Sequence, residues 1–187
     1  MILFFDTETT GKLDFKADMT AVEQPNLVQI AALLQDVERR MVGQINFIIK
    51  PQGWVITAEV AAIHGITNDR AILYGVPIKT ALSAFNSFCE NASILVAHNL
   101  QFDYRIMTTA YFRAGIQNPM FFLEKFCTMT AATDICKLPG NYGKYKWPKL
   151  SEAHRHFFGS DFEGAHDAMN DVNAMIKVYW QLRDGGR

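Results

Sequence analysis

Short unbroken apolar runs alternate along this chain with stripes of apolar residues at helical spacing, a pattern that predicts strands covered by helices. Ile2-Leu-Phe-Phe5 is one such run. It ends in Asp6 and then in Thr and Gly residues, as expected of a buried central strand whose carboxyl end opens into a site. Leu27 to Leu34 and Gln44 to Ile49 read as two further strands, joined through the charged stretch from Asp36 to Arg40 as an antiparallel hairpin. From Thr57 to Glu90 the spacing turns helical, broken at His64-Gly-Ile-Thr67 and at Gly75-Val-Pro77, with Thr67 placed to cap a short helix. Ile94-Leu-Val-Ala97 is another short buried strand. It opens into His98-Asn99 ahead of a helix from about Gln101 to Ala114, which Gly115 would end. Beyond Phe126-Cys127 a helix is expected, then a loop rich in Gly, Tyr, Lys and Pro from Pro139 to Pro148, and a helix from about Leu150. A last helix from about Asp167 carries Val172, Met175, Ile176, Tyr179 and Trp180 on one face, and the tail from Asp184 should fray. No repeat or second domain stands out, so residues 1–187 read as one α/β domain.

Composition narrows the class. With 187 residues, 49% of them hydrophobic, the chain can bury a sizeable core. Cys89, Cys127 and Cys136 form no CxxC or Cys/His cluster, which predicts neither a disulfide framework nor a zinc site and points to a reducing cytoplasm. The first residues lack a basic leader, no apolar segment reaches membrane-spanning length, and no membrane role is expected. Lys and Arg number 18 against 19 Asp and Glu, so a net charge of -1 does not advertise a nucleic-acid binder. The case for function rests on individual sites.

Asp6 and Glu8 flank Thr7 at the end of the first strand, and a two-residue spacing puts both carboxylates on one side of an extended chain. Two acids so close repel unless a cation neutralises them. Asp103 falls in line with Ile106, Met107, Ala110 and Tyr111, and Asp171 with Met175, Val178 and Leu182, so each acid lies on the apolar side of its helix. A carboxylate there is costly unless paired, although both also lie in early helical turns where the dipole favours negative charge. His166 sits just before the final helix, with Asp167 as its N-cap, and is placed to act as a base near Asp171.

Phe4-Phe-Asp-Thr-Glu-Thr-Thr-Gly11, His98-Asn-Leu-Gln-Phe-Asp103 and His166-Asp-Ala-Met-Asn-Asp171 together resemble the DEDDh branch of the DnaQ-like exonucleases. That family includes the proofreading subunit of bacterial replicative DNA polymerase and the three-prime repair exonucleases. Ile63-His-Gly-Ile-Thr67 matches as well, and the resemblance runs from Ile2 to about Tyr179. It implies an RNase H-like fold, a mixed five-stranded sheet flanked by helices. It implies that Asp6, Glu8, Asp103 and Asp171 bind two divalent ions and that His166 deprotonates the attacking water. It places Thr7, Thr9, Thr10, His64, Ile66, His98, Asn99 and Phe102 along the terminal nucleotide. Asp167 and Asn170 are variants inside the last motif, whose two ends are intact.

The expected activity is a metal-dependent 3'-5' exonuclease that releases nucleoside monophosphates, with single-stranded DNA ahead of RNA as substrate. Hard oxygen ligands select two Mg²⁺ or Mn²⁺. Two such ions would also offset the acidic cluster, which reconciles the charge with a phosphate substrate. A non-catalytic nucleic-acid or polymerase-binding module of the same fold predicts loss of an acid or of the histidine, and none is lost. An RNase H-like endonuclease would leave His64-Gly-Ile-Thr67 unexplained. The partner is a nucleic-acid 3' end; monomer or homodimer stays open, as does a polymerase or repair partner. Gly143-Lys-Tyr-Lys-Trp-Pro-Lys149 interleaves cations and aromatics, which suits either a strand-following loop or a loop anchored by Trp147 and Pro148 with solvated lysines.

Overall fold

The computed structural model describes residues 1–185. Five strands form one sheet: β1 (Ile2–Thr9), β2 (Leu27–Gln35), β3 (Met41–Ile48), β4 (Ile94–Ala97) and β5 (Glu124–Cys127). Their order is β3-β2-β1-β4-β5, with β1 antiparallel to β2, β2 antiparallel to β3, and β4 parallel to both β1 and β5. This is the mixed five-stranded sheet of the RNase H-like expectation. Among the described residues seven α-helices surround it: α1 (Ala58–His64), α2 (Asn68–Tyr74), α3 (Ile78–Cys89), α4 (Leu100–Ala114), α5 (Thr128–Cys136), α6 (Leu150–Phe158) and α7 (Ala168–Arg183).

Side chains on a strand alternate between faces, so neighbours on β1 report what covers each side of the sheet. Phe4 packs edge-on against Tyr179 of α7, with ring centroids 5.1 Å apart, whereas Phe5 meets Phe85 of α3 at 5.5 Å. The two helices therefore cover opposite faces. All nine residues of β2 are buried, the consequence of cover on both sides. α7 is clamped twice: Val172, Met175 and Tyr179 join the main core, while Val178 packs with Ala132 of α5 and Ala153 of α6. A third cluster of Val28, Ile56, Ile66 and Ala71 seats α1 and α2 beside the sheet.

Most boundaries agree with the apolar pattern. Thr67 caps α2 by accepting from Arg70 N–H at 3.2 Å, and Gly115 ends α4 with φ 65. Two differences have physical causes. β1 continues through Asp6 and Glu8 to Thr9, because β2 pairs with it throughout, so the acids lie within the strand and not past its end. β5 carries two charges in the four residues Glu-Lys-Phe-Cys, and only its edge position makes that composition a strand. At the C-terminal end of α7, Asp184 pairs with Arg39 at 2.6 Å while the Arg39 guanidinium lies 4.2 Å from the centre of the Trp180 ring. Gly186 and Arg187 lie outside the described residues. Among the described residues, no helix is long and apolar enough to cross a membrane.

Candidate active site

β1 outruns its parallel neighbour. β4 pairs with Ile2 to Phe4 and ends at Ala97, which leaves the β4-side edge of β1 bare from Asp6 onward. An unpaired backbone N–H on such an edge needs a partner. Asp103, from the first turn of α4, supplies it: its Oδ1 accepts from Thr7 N–H at 3.1 Å and from Thr7 Oγ1 at 2.6 Å. Thr7 lies on the Phe5 side of the alternation, whereas Asp6 and Glu8 lie on the Phe4 side, toward α7. Three consecutive residues of β1 thus face both helices: Thr7 meets Asp103 of α4, and Asp6 and Glu8 lie toward α7, which carries Asp171.

Glu8, His166 and Asp171 offer ligand atoms that all lie within 4.8 Å of one another. Asp6 is close enough for Asp103, Asp171, Glu8 and Asp167 each to raise its pKa, after burial, which contributes most. Burial, then Asp171 and Asp103, pushes Glu8 up to about 8. Burial raises Asp103 to about 7 against the opposing pull of its two Thr7 hydrogen bonds. Asp171 reaches about 6, again chiefly through burial, with the His166 backbone and ring holding it down. Among the described residues none of these four acids is ion-paired with Lys or Arg. A set of converging oxygen donors without a cationic side chain fits hard divalent cations.

His166 is held by an unusual turn. Its φ is 68 and that of Gly164 is 70, and a Cβ on Gly164 would come within 2.2 Å of Asn170 Nδ2. Asn170 Nδ2 and Asp167 N–H both donate to Gly164 O, at 3.1 and 3.2 Å, while His166 N–H donates to Asp171 Oδ2 at 3.3 Å. Asp167 Oδ1 caps α7 by accepting from Met169 and Asn170 N–H. Behind the turn lies Gln29 of β2, opposite Glu8 in register and 2% exposed. Its Nε2 donates to Asn46 Oδ1 at 2.9 Å and Asp167 Oδ2 at 3.3 Å, and its Oε1 accepts from Ala168 N–H at 3.3 Å. The amide joins two strands to the N-terminus of α7. The sequence reading passed over it, although a lone Gln within Leu-Val-Gln-Ile-Ala-Ala-Leu-Leu is itself a signal, since a buried amide must find partners.

The residues expected along the nucleotide divide. Ile66 is 2% exposed and belongs to the core, so its hydrophobicity serves packing. The Thr7 hydroxyl is committed to Asp103 and the Thr9 hydroxyl donates to Gly11 O at 2.6 Å, both inside the protein. His98 is committed as well: Nε2 lies 2.9 Å from Pro148 O and Nδ1 2.9 Å from Thr128 Oγ1. Because a carbonyl only accepts, Nε2 carries the proton and Nδ1 takes the threonine's; burial pushes the ring's pKa down to about 4, which keeps it neutral. These four side chains hydrogen-bond or pack within the protein. Thr10, Asn99 and Phe102 remain partly exposed at the same end of the sheet. His64 accepts Ile66 N–H on Nδ1 at 3.1 Å, which leaves a protonated Nε2 buried without a partner. Its pKa is lowered, first by burial and also by nearby His166.

This end of the sheet, with its unpaired carboxylates and adjoining imidazole, belongs to a nuclease of the RNase H-like class. A sequence model of the RNase T exonuclease family matches residues 3–179. The chain belongs to that exonuclease family. It is 30% identical over 189 residues to the uncharacterized exonuclease CP81 of Escherichia phage 186, covering 98% of this chain and 89% of that one. It is 38% identical over 112 residues to a PolC-type DNA polymerase III of Streptococcus pyogenes, covering 60% of this chain but 7% of the polymerase. Among solved structures it superimposes on E. coli exonuclease I in complex with a dT13 oligonucleotide with a TM-score of 0.78 at 21% identity, over 97% of this chain and 40% of that one. A zinc-bound form of the exonuclease I–ssDNA complex aligns with a TM-score of 0.75, over all of this chain and 41% of that one.

Proposed function

We propose that residues 1–187 act as one exonuclease domain on single-stranded DNA, removing nucleoside monophosphates from the 3' end with two Mg²⁺ or Mn²⁺. The observation that carries the reading is the convergence of Glu8, His166 and Asp171 within 4.8 Å, beside Asp6 and the tethered Asp103. Asp6, Glu8, Asp103 and Asp171 would hold the ions, which lower the pKa of water and stabilise charge on the leaving 3' oxygen. His166 takes the proton from the attacking water; its turn, at positive φ and fixed by Asn170 and Asp167, puts a ring nitrogen close to Asp171. His64, whose Nε2–H is buried, and Thr10, Asn99 and Phe102 lie along the terminal nucleotide. The single-stranded preference draws on the oligonucleotide-bound exonuclease I structures, which share this fold.

The test is a degradation panel of end-labelled single- and double-stranded DNA and RNA, with free or blocked 3' ends and a circular strand, run beside His166→Ala. Mononucleotides should appear from free 3' ends only, fastest on single-stranded DNA. The variant should lose about 10²–10⁴ in kcat. Digestion of the circle, or of a blocked end at an undiminished rate, overturns the polarity, and faster release from RNA reassigns the substrate.

A further inference from the structure

Neither the core nor the acidic site accounts for the segment between α5 and α6. It folds as a small hairpin in which Pro139 bridges Tyr145, Gly140 N–H donates to Lys144 O at 3.0 Å, and Lys146 N–H donates to Leu138 O at 3.0 Å. The turn is tight: a Cβ on Gly140 would come within 2.6 Å of Lys144 O. Its returning arm is anchored three times. Lys146 Nζ pairs with Glu152 Oε1 at 2.5 Å, Lys149 N–H donates to Glu152 Oε2 at 2.8 Å, and the carbonyl of the buried Pro148 meets His98 Nε2.

Those anchors immobilise the arm yet leave its large rings in water. Trp147 is 65% exposed and Tyr142, at the tip, 99%. Trp147 therefore does not serve as a hydrophobic anchor. Lys144 and Lys149 at either end of the arm have extended dihedrals, with φ -95 and -65, and alternate residues of an extended chain share a face. With the intervening chain extended as its ends are, Tyr145, Trp147 and Lys149 share one face in steps of roughly 6.7 Å, two residues of strand rise apiece. Two rings and an ammonium in a rigid row match an unpaired polynucleotide, whose bases stack on aromatic faces and whose phosphates attract the cation. The location agrees: His98 directly follows β4, where Val96 lies opposite Phe4, so the arm is pinned one strand away from Asp6.

The geometry points to the 142–149 arm as a second nucleic-acid contact, a stacking platform for nucleotides upstream of the one being removed. Paired bases keep their faces within the duplex, so the platform selects for single strands. The inference rests on the exonuclease reading above and adds to it the surface that recognises the rest of the chain.

Tyr145→Ala and Trp147→Ala test it through the ratio of kcat/KM on a long single-stranded oligonucleotide to that on a dinucleotide too short to reach the arm. Each is expected to lower the ratio about tenfold, through KM on the long strand, and Trp147→Phe should restore most of the loss. Lys149→Ala should lessen the slope of log affinity against log salt by about 0.7. An unchanged ratio overturns the platform. So does an equal loss on both substrates that Trp147→Phe fails to rescue, which would assign the arm to folding alone. Binding of a labelled strand to His166→Ala protein, followed by anisotropy, needs no hydrolysis; it still reads the platform if the polarity or substrate of the reaction proves different.

Discussion

At the scale of single residues, Thr7 shows how one side chain can serve a site by holding another. Its hydroxyl and backbone N–H both donate to Asp103 Oδ1, which fixes that carboxylate across the bare edge of β1. Thr7→Val keeps the shape and the backbone bond and removes the hydroxyl bond. It should weaken divalent-ion affinity about 10–100-fold by calorimetry while the protein stays folded. Affinity unchanged by the substitution would remove Asp103 from the ion-binding set. The acids and His166 were legible because each motif pairs a residue type with a position in its element. The roles of Thr7, Thr9 and His98 were not, since a motif records which residues are present and not which atoms they face. His98 illustrates the limit: its partners, Thr128 and Pro148, lie 30 and 50 residues away.

Among elements, the junction between β2 and α7 decides where the base sits. Gln29 grips Asp167 and Ala168 from the middle of a strand whose other residues, up to the terminal Gln35, are apolar, and the turn it supports holds His166 at a positive φ. Gln29→Leu should lower kcat by about tenfold to a hundredfold through misplacement of the imidazole, with little change in KM. In a double-mutant cycle with His166→Ala the two losses should not add, because the amide acts through the ring. Additive losses would mean that Gln29 supports the fold alone. The helices and the four apolar or half-apolar strands could be read from period and caps. β5 could not, because Glu124 and Lys125 give it the composition of a loop, and its pairing with β4 comes from β4 and the turn before α5.

Across the whole molecule, a weakly acidic protein concentrates its repulsion at one end of the sheet. Glu8, Asp103 and Asp171 titrate near 8, 7 and 6 in the folded chain, each above its ordinary carboxylate value. Groups whose pKa rises on folding lend stability below their unfolded values near 4 and withdraw it as pH climbs through the folded ones. Chelator-treated protein should therefore lose Tm steadily from mildly acidic pH to about 8, and Mg²⁺ should restore it most at the alkaline end. A Tm independent of pH and of Mg²⁺ would contradict the charge balance drawn here. The site also joins the first strand to the last helix, since Glu8 meets Asp171 and His166. A ribosome makes these pieces in order, at roughly 5–20 residues per second. For that whole interval the acids of β1 stand alone, and they gain Asp171 and His166 only when α7 leaves the tunnel and docks.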